Sequence, residues 1–253
     1  HMTYNFDQII ERRNTDSIKW KQYSKDVLPL WVADMDFLTP EPIRDAVHTM
    51  LDRGVLGYEF LQPHTKEIVA RRMENLYSWQ VDPEWVVATT GVVSGFNIAA
   101  RAICQPGDGV LIHTPVYNMF YPLYKHLNMV QQSVPIALTP DGNVLHPKLD
   151  LDTFANAFHS NNARTRMFLF CHPHNPLGKV FTREELQGMA NHCLQNEAII
   201  VSHAIHRELL LDGSRHIPMA TLSQEIADQT ITLIAASKTF NTAGLFWAFA
   251  IIR

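Results

Sequence analysis

The residues that carry reactive chemistry stand at the ends of apolar runs. In "IAASKTFNTAGLFWAF" (234–249) a hydrophobic run stops at Ser237 and Lys238. A lysine beside a dry sheet edge is desolvated, and desolvation favours the neutral amine. A neutral amine adds to an aldehyde to form a Schiff base. The plainer reading is a strand-end lysine whose stem packs on apolar surface while its head reaches water.

Other reactive groups follow the same placement. "TTGVVSG" (89–95) opens a helix after a strand, and the free amides at a helix start attract phosphate. "TPVYNMF" puts Tyr117 after a strand, where a ring can stack on a flat ligand or simply fill the core. "CHPHNPLGK" (171–179) puts Asn175 in a turn, able to donate a hydrogen bond to an oxyanion or to cap the turn before Pro176. "VSHAIHREL" (201–209) holds His203 and His206 at and just after the end of an apolar run. Together with His172 and His174 they have workable metal-ligand spacings, H-x-H and H-x-x-H. That metal set is an alternative to ordinary loop roles. No G-x-G-x-x-G or Walker sequence is present.

These positions require strands and helices to present them. Runs such as "GVLIHTP", "RMFLFC", "AIIVSH" and "TITLIAA" are apolar on both faces, the pattern of a buried, mostly parallel sheet. Helical patterns alternate with them: "TKEIVARRMENLY", "GFNIAARAICQ", "YNMFYPLYKHL", "LDTFANAFHS" and "TREELQGMANHCLQN". The expected fold is a doubly wound α/β sandwich, with ligands bound at the carboxyl ends of the strands. Pro42 and Gly54 bracket an earlier helix over "IRDAVHTMLDRG". The expected division is an N-terminal arm over 1–45 and a large domain over 46–253.

Composition agrees with a large core. Of 253 residues, 46% are hydrophobic and 18% charged, which excludes a disordered chain. A net charge of −4 with scattered Lys and Arg argues against duplex nucleic acid, and no apolar run is long enough to span a membrane. Three dispersed cysteines, Cys104, Cys171 and Cys193, suit a reduced cytoplasmic protein. The N-terminus lacks a signal peptide, and the leading His1–Met2 reads as a cloning remnant, so an altered chain is an expectation.

Taken jointly, "TTGVVSG", "HTPVYNMF", "CHPHNPLGKVFT", "VSHAIHREL" and "SKTFNTAGL" resemble the class I/II aminotransferases of fold type I, which use pyridoxal 5′-phosphate (PLP). "LPLWVADMDF" (28–37) and "GVLGYE" (54–59), followed by "GVV", are similar to the cystathionine β-lyase branch, the carbon–sulfur lyases. The resemblance implies a PLP-binding large domain and an enzyme acting on small amino-acid substrates as a homodimer. It implies that Lys238 carries the cofactor and moves the α-proton. Val92, Val93 and Ser237 would cradle the phosphate, Tyr117 would stack on the pyridine ring, and Asn175 would bind its phenolate oxygen. Tyr58 would reach the phosphate of a neighbouring subunit, Asp34 would lie near substrate, and His206 belongs to the motif of the cofactor site.

Against that family pattern three departures stand out. Within "S-D-E-I-H", the acid that pairs with the pyridine nitrogen is replaced by His203. A carboxylate keeps that nitrogen protonated, whereas a neutral imidazole supplies no charge. The family's smaller C-terminal domain does not appear in the sequence, and Phe246 stands where relatives have a phosphate-binding arginine. The expected activity is a carbon–sulfur β-lyase, impaired by these changes. The alternatives are an aminotransferase, a non-catalytic PLP-fold binding protein, or an engineered histidine metalloprotein.

Overall fold

A computed structural model describes residues 4–253 of the chain. His1 and Met2, read above as a cloning remnant, lie outside the described residues. The chain divides into two compact units. One contains the residues up to Phe60 together with Ala236–Phe246, and the other contains Leu61–Ala235 with Trp247–Arg253. This differs from the division at 45/46 drawn from sequence. The helix bracketed by Pro42 and Gly54 forms, but it buries none of its residues, so it cannot found the sheet domain's core.

In the first unit the regular elements are α1 (Ile18–Lys21) and α2 (Glu41–Asp52). Pro42 sits in the first turn of α2, where its missing N–H costs nothing, and Gly54 follows at φ 75°. A polar network replaces an apolar core here. Arg12 bridges Asp34 at 2.7 Å and Asp36 at 2.6 Å. Asp36 also accepts from Lys19 Nζ at 2.6 Å and Trp20 Nε1 at 2.8 Å. Burial works against the Asp36 charge, but these three donors outweigh it and hold its pKa below the usual value.

The second unit is built on α3 (Pro63–Tyr77), β1 (Val86–Thr89), α4 (Val92–Ile103), β2 (Gly109–Thr114), α5 (Tyr121–Leu127) and β3 (Val130–Pro135). A hairpin follows, β4 (Ala137–Asp141) with β5 (Val144–Lys148), and then α6 (Leu151–Ala157) and β6 (Thr165–Cys171). The chain continues through α7 (Arg183–Gln195), β7 (Ile199–His203), α8 (Gln224–Asp228), β8 (Thr230–Ile234) and β9 (Ala248–Ile252). Seven strands form one sheet in the order β1-β9-β8-β7-β6-β2-β3. The β2–β3, β2–β6, β6–β7 and β7–β8 pairs are parallel, and β9 is antiparallel to both β1 and β8.

Strand β6 shows why both faces are covered. Met167, Leu169 and Cys171 join one buried cluster with Phe96 and Phe120, while Phe168 and Phe170 join a second with Phe154, Phe181 and Leu186. Successive side chains alternate across the sheet, so a strand apolar at every position needs a helical layer on each side. Burying each such ring contributes roughly 1.5–3 kcal/mol. Local signals fix the helix that follows. Thr182 Oγ1 accepts from Glu185 N at 3.3 Å and Glu185 Oε2 accepts from Thr182 N at 2.9 Å, a reciprocal cap at the start of α7.

Candidate active site

Four polar stretches meet the carboxyl ends of the parallel strands in the second unit. After β1, Gly91 adopts φ 128°, a conformation available to glycine, and α4 begins at Val92. The first donor within that helix is Gly95 N–H, to Gly91 O at 2.9 Å. The amides of Val92 and Val93 precede it, so they point out of the helix start as the sequence predicts.

Tyr117 follows β2, and His203 ends β7. Their rings stack with centroids 5.8 Å apart and planes inclined by 29°. Phe120 meets the same imidazole edge-on at 5.5 Å, and Phe96 at 6.4 Å. His203 is 2% exposed. Its Nδ1 lies 3.8 Å from Cys171 Sγ, at the end of the neighbouring strand β6. Burial pushes the Cys171 thiol up to about 12, so it remains protonated at neutral pH. Burial also raises the Tyr117 phenol.

Asn175 lies in the turn after β6, and its N–H donates to Cys171 Sγ at 3.3 Å. That turn is closed by His174 N to Lys179 O at 2.9 Å and Gly178 N to His174 O at 2.8 Å. His174, Asn175 and His206 line a pocket of about 420 Å3 with Gly178, Leu209 and Asp212. Tyr117 and His203 stand outside that pocket's lining.

Lys238, Ser237, Asp34 and Tyr58 belong to the first unit. The sequence predicted Lys238 at a strand end and buried. The strand β8 stops at Ile234, and Lys238 lies in the turn that follows, half-buried. That turn is held by Phe240 N to Ala236 O at 2.9 Å and Thr242 N to Ser237 O at 3.0 Å. Asp34 is ion-paired to Arg12, and Tyr58 is fully exposed.

The alternative metal set is corrected by the structure. His203 packs with Phe96 and Phe120 in one core cluster, while His172 stacks on Phe170 at 5.3 Å and meets His216 at 4.4 Å in the layer across the sheet. His174 faces His113 and Phe181. Among the described residues, no three His, Cys, Asp or Glu side chains gather as a metal-binding group.

Several features of the site carry no motif. Cys171 reads in sequence as a small core residue, but it touches His203. His113, 1% exposed, sits among Phe154, Phe168, Phe170 and Phe181. Asn241 clamps Met35 within the first unit by two 2.9 Å bonds, one in each direction. The signal for Asn241 was present in "SKTFNTAGL", since a polar amide in a turn finds backbone partners.

The donor set suits a flat, phosphate-bearing heteroaromatic aldehyde. Within the second unit it offers an aromatic platform at Tyr117, open amides at Val92 and Val93 and a side-chain amide at Asn175; the first unit carries the primary amine of Lys238. His203 supplies a polar ring nitrogen in place of a carboxylate.

Residues 25–253 match the family described as aminotransferase class I and II. Cystathionine β-lyase PatB of Bacillus subtilis (strain 168) is 38% identical over 246 residues, 95% of this chain and 62% of that protein. The crystal structure of cystalysin from Treponema denticola, which contains a PLP cofactor, is 32% identical with a TM-score of 0.90. It covers 100% of this chain and 64% of cystalysin. The PLP-bound C–S lyase from Staphylococcus hominis is 30% identical with a TM-score of 0.87, covering 99% of this chain and 63% of that one. The chain thus spans about three fifths of the length of the curated relatives it matches. With the match running through the strand-end motifs as well as the sheet, the chain belongs to the class I and II aminotransferase family.

Proposed function

We propose that this chain binds pyridoxal 5′-phosphate and belongs to a carbon–sulfur β-lyase acting on cystathionine or cysteine S-conjugates. The observation that carries the reading is the stack of Tyr117 over His203 at the strand ends, in a chain that follows a cystathionine β-lyase over 95% of its length. When bound, the cofactor supplies an electron-accepting pyridine ring.

The chain's own residues divide the remaining work. Tyr117 would offer a face to the ring, Asn175 would donate to the ring's oxygen, and His203 would meet the ring nitrogen. The amides of Val92 and Val93 would take the phosphate, and the family resemblance gives the Ser237 hydroxyl the same role. Lys238 Nζ would take the substrate's α-proton and return it to the departing β-thiolate, and the aminoacrylate left behind takes up water to give pyruvate and ammonia. Asp34 lies near substrate, and His206 lines the approach to Asn175. Tyr58 completes the phosphate site of a second subunit in a homodimer. A reducing, cytoplasmic setting suits its buried free thiols.

No described helix is long and apolar enough to cross a membrane.

The test is an assay of cystathionine cleavage with and without added PLP. Pyruvate and homocysteine formed only with PLP support the reading. Transfer of the amino group to a 2-oxo acid without thiol release would favour a transaminase, and no reaction together with no PLP binding would sink both.

A further inference from the structure

His203 and Cys171 are register partners on the parallel strands β7 and β6. The sulfur of Cys171 has three polar neighbours: Pro173 O at 3.5 Å, Asn175 N at 3.3 Å and His203 Nδ1 at 3.8 Å. Two of these have fixed roles. The Pro173 carbonyl can only accept, so that contact is made only when the thiol's single hydrogen points to it. The Asn175 N–H can only donate, so it occupies a sulfur lone pair. Toward His203 the sulfur then has only a lone pair left, so the one assignment of hydrogens that makes all three contacts has Nδ1 bring the hydrogen.

We infer that Cys171 fixes the tautomer of His203, placing the imidazole proton on Nδ1 and leaving Nε2 bare. In water a neutral histidine favours the opposite tautomer, so the arrangement is imposed by the protein. The thiol keeps its one hydrogen because burial raises its pKa. Cys171 is thus a positioning residue that acts through His203, and Asn175 and Pro173 orient the sulfur.

The consequence for the site rests on the cofactor reading proposed above. A bare Nε2 accepts a hydrogen bond from a protonated pyridine nitrogen and cannot donate to an unprotonated one. His203 therefore keeps the accepting role of the carboxylate that relatives have at this position, without its charge. The other tautomer would reverse that preference.

The test is the ¹⁵N spectrum of the histidine rings in PLP-loaded protein and in protein stripped of PLP. His203 is assigned by its absence in His203→Asn. The expected pattern is a protonated Nδ1 and an unprotonated Nε2. Cys171→Ser keeps one hydrogen and two lone pairs and should preserve the pattern. Cys171→Ala should shift the proton to Nε2. A proton on Nε2 in the wild-type protein, whether neutral or cationic, overturns the inference, as does a Cys171→Ala spectrum that matches wild type. Should Cys171→Ala fail to fold, the wild-type and Cys171→Ser spectra still decide. PLP binding is scored separately by its visible absorption band. A missing band with the expected His203 pattern sinks the cofactor reading alone, and a present band with Nε2 protonated sinks the tautomer alone.

Discussion

Tyr117 and His203 stack at 5.8 Å, 29° from coplanar, where the family resemblance leads one to expect a carboxylate. The imidazole sits in an aromatic enclosure and contributes no negative charge to it. Restoring the acid should have two opposed effects. His203→Asp should raise lyase turnover about tenfold or more, since a charge aimed at the reacting system is worth up to about 10² to 10³ in rate. The same variant without PLP should lose about 1–3 kcal/mol of stability, because a carboxylate is set among Phe96 and Phe120. Pyruvate release and thermal melting check the two arms. Unchanged turnover in a folded, PLP-loaded variant counts against this role for position 203.

Buried histidines should make the protein sensitive to acid. Burial, with His174 and Lys179 nearby, pushes His113 down to about 3. Burial likewise lowers His172 to about 3 and His174 to about 4. An unfolded histidine titrates near 6.5. Between these values the unfolded chain binds protons that the folded chain refuses. Stability is therefore fully present above about pH 6.5 and is lost as the pH falls toward 3, at about 1.4 kcal/mol per pH unit for each group. Neither ring nitrogen of His113 has a hydrogen-bond partner among the described residues. His113→Leu should therefore leave stability at pH 7.5 within about 1 kcal/mol of wild type and move the acid-unfolding midpoint to lower pH. Circular dichroism across pH 3–8 measures this, and a midpoint that rises or stays fixed refutes the assignment.

Glu208 holds two arginines. It pairs with the 4%-exposed Arg207 at 2.6 Å and also with Arg72. Arg207 Nη1 donates in addition to Ala235 O at 3.3 Å, tying the β7 loop to the end of β8. Burial lowers the Arg207 pKa, while Glu208 acts in the opposite sense. Glu208→Gln leaves Arg207 buried without its counter-charge and should cost about 3–5 kcal/mol. Denaturant unfolding gives the value directly, and a loss under about 1 kcal/mol would show that the charge pair is not what holds this loop.

Much of this architecture was legible because period and burial coincide. "RMFLFC" and "AIIVSH" carry unbroken apolar stretches, Met167–Cys171 and Ala198–Val201, and both became strands covered on two faces. "TREELQGM" carried its cap in its first residues, and the cap formed. The antiparallel β1 and β9 were not legible, since strand direction is set by pairing partners distant in sequence. The exposed hairpin β4–β5 lacks the continuous apolar runs of the sheet strands, although Asp141-Gly142-Asn143 is a turn signal and Gly142 takes φ 57°. At the site, motif positions placed Tyr117, Asn175 and His203. The Cys171 contact to His203 was invisible, because it depends on the register of two strands 32 residues apart. Burial of Lys238 was overestimated because the apolar run "ITLIAA" extends beyond the strand it builds.

The measurement that bears most directly on the account is the site of covalent attachment of PLP. Protein incubated with PLP, reduced with borohydride and digested should show a single modified peptide, the one containing Lys238, and Lys238→Ala should show none. Modification centred on Lys179 or spread over surface lysines, with Lys238 untouched, would contradict the assignment of this chain's chemistry to the turn after β8.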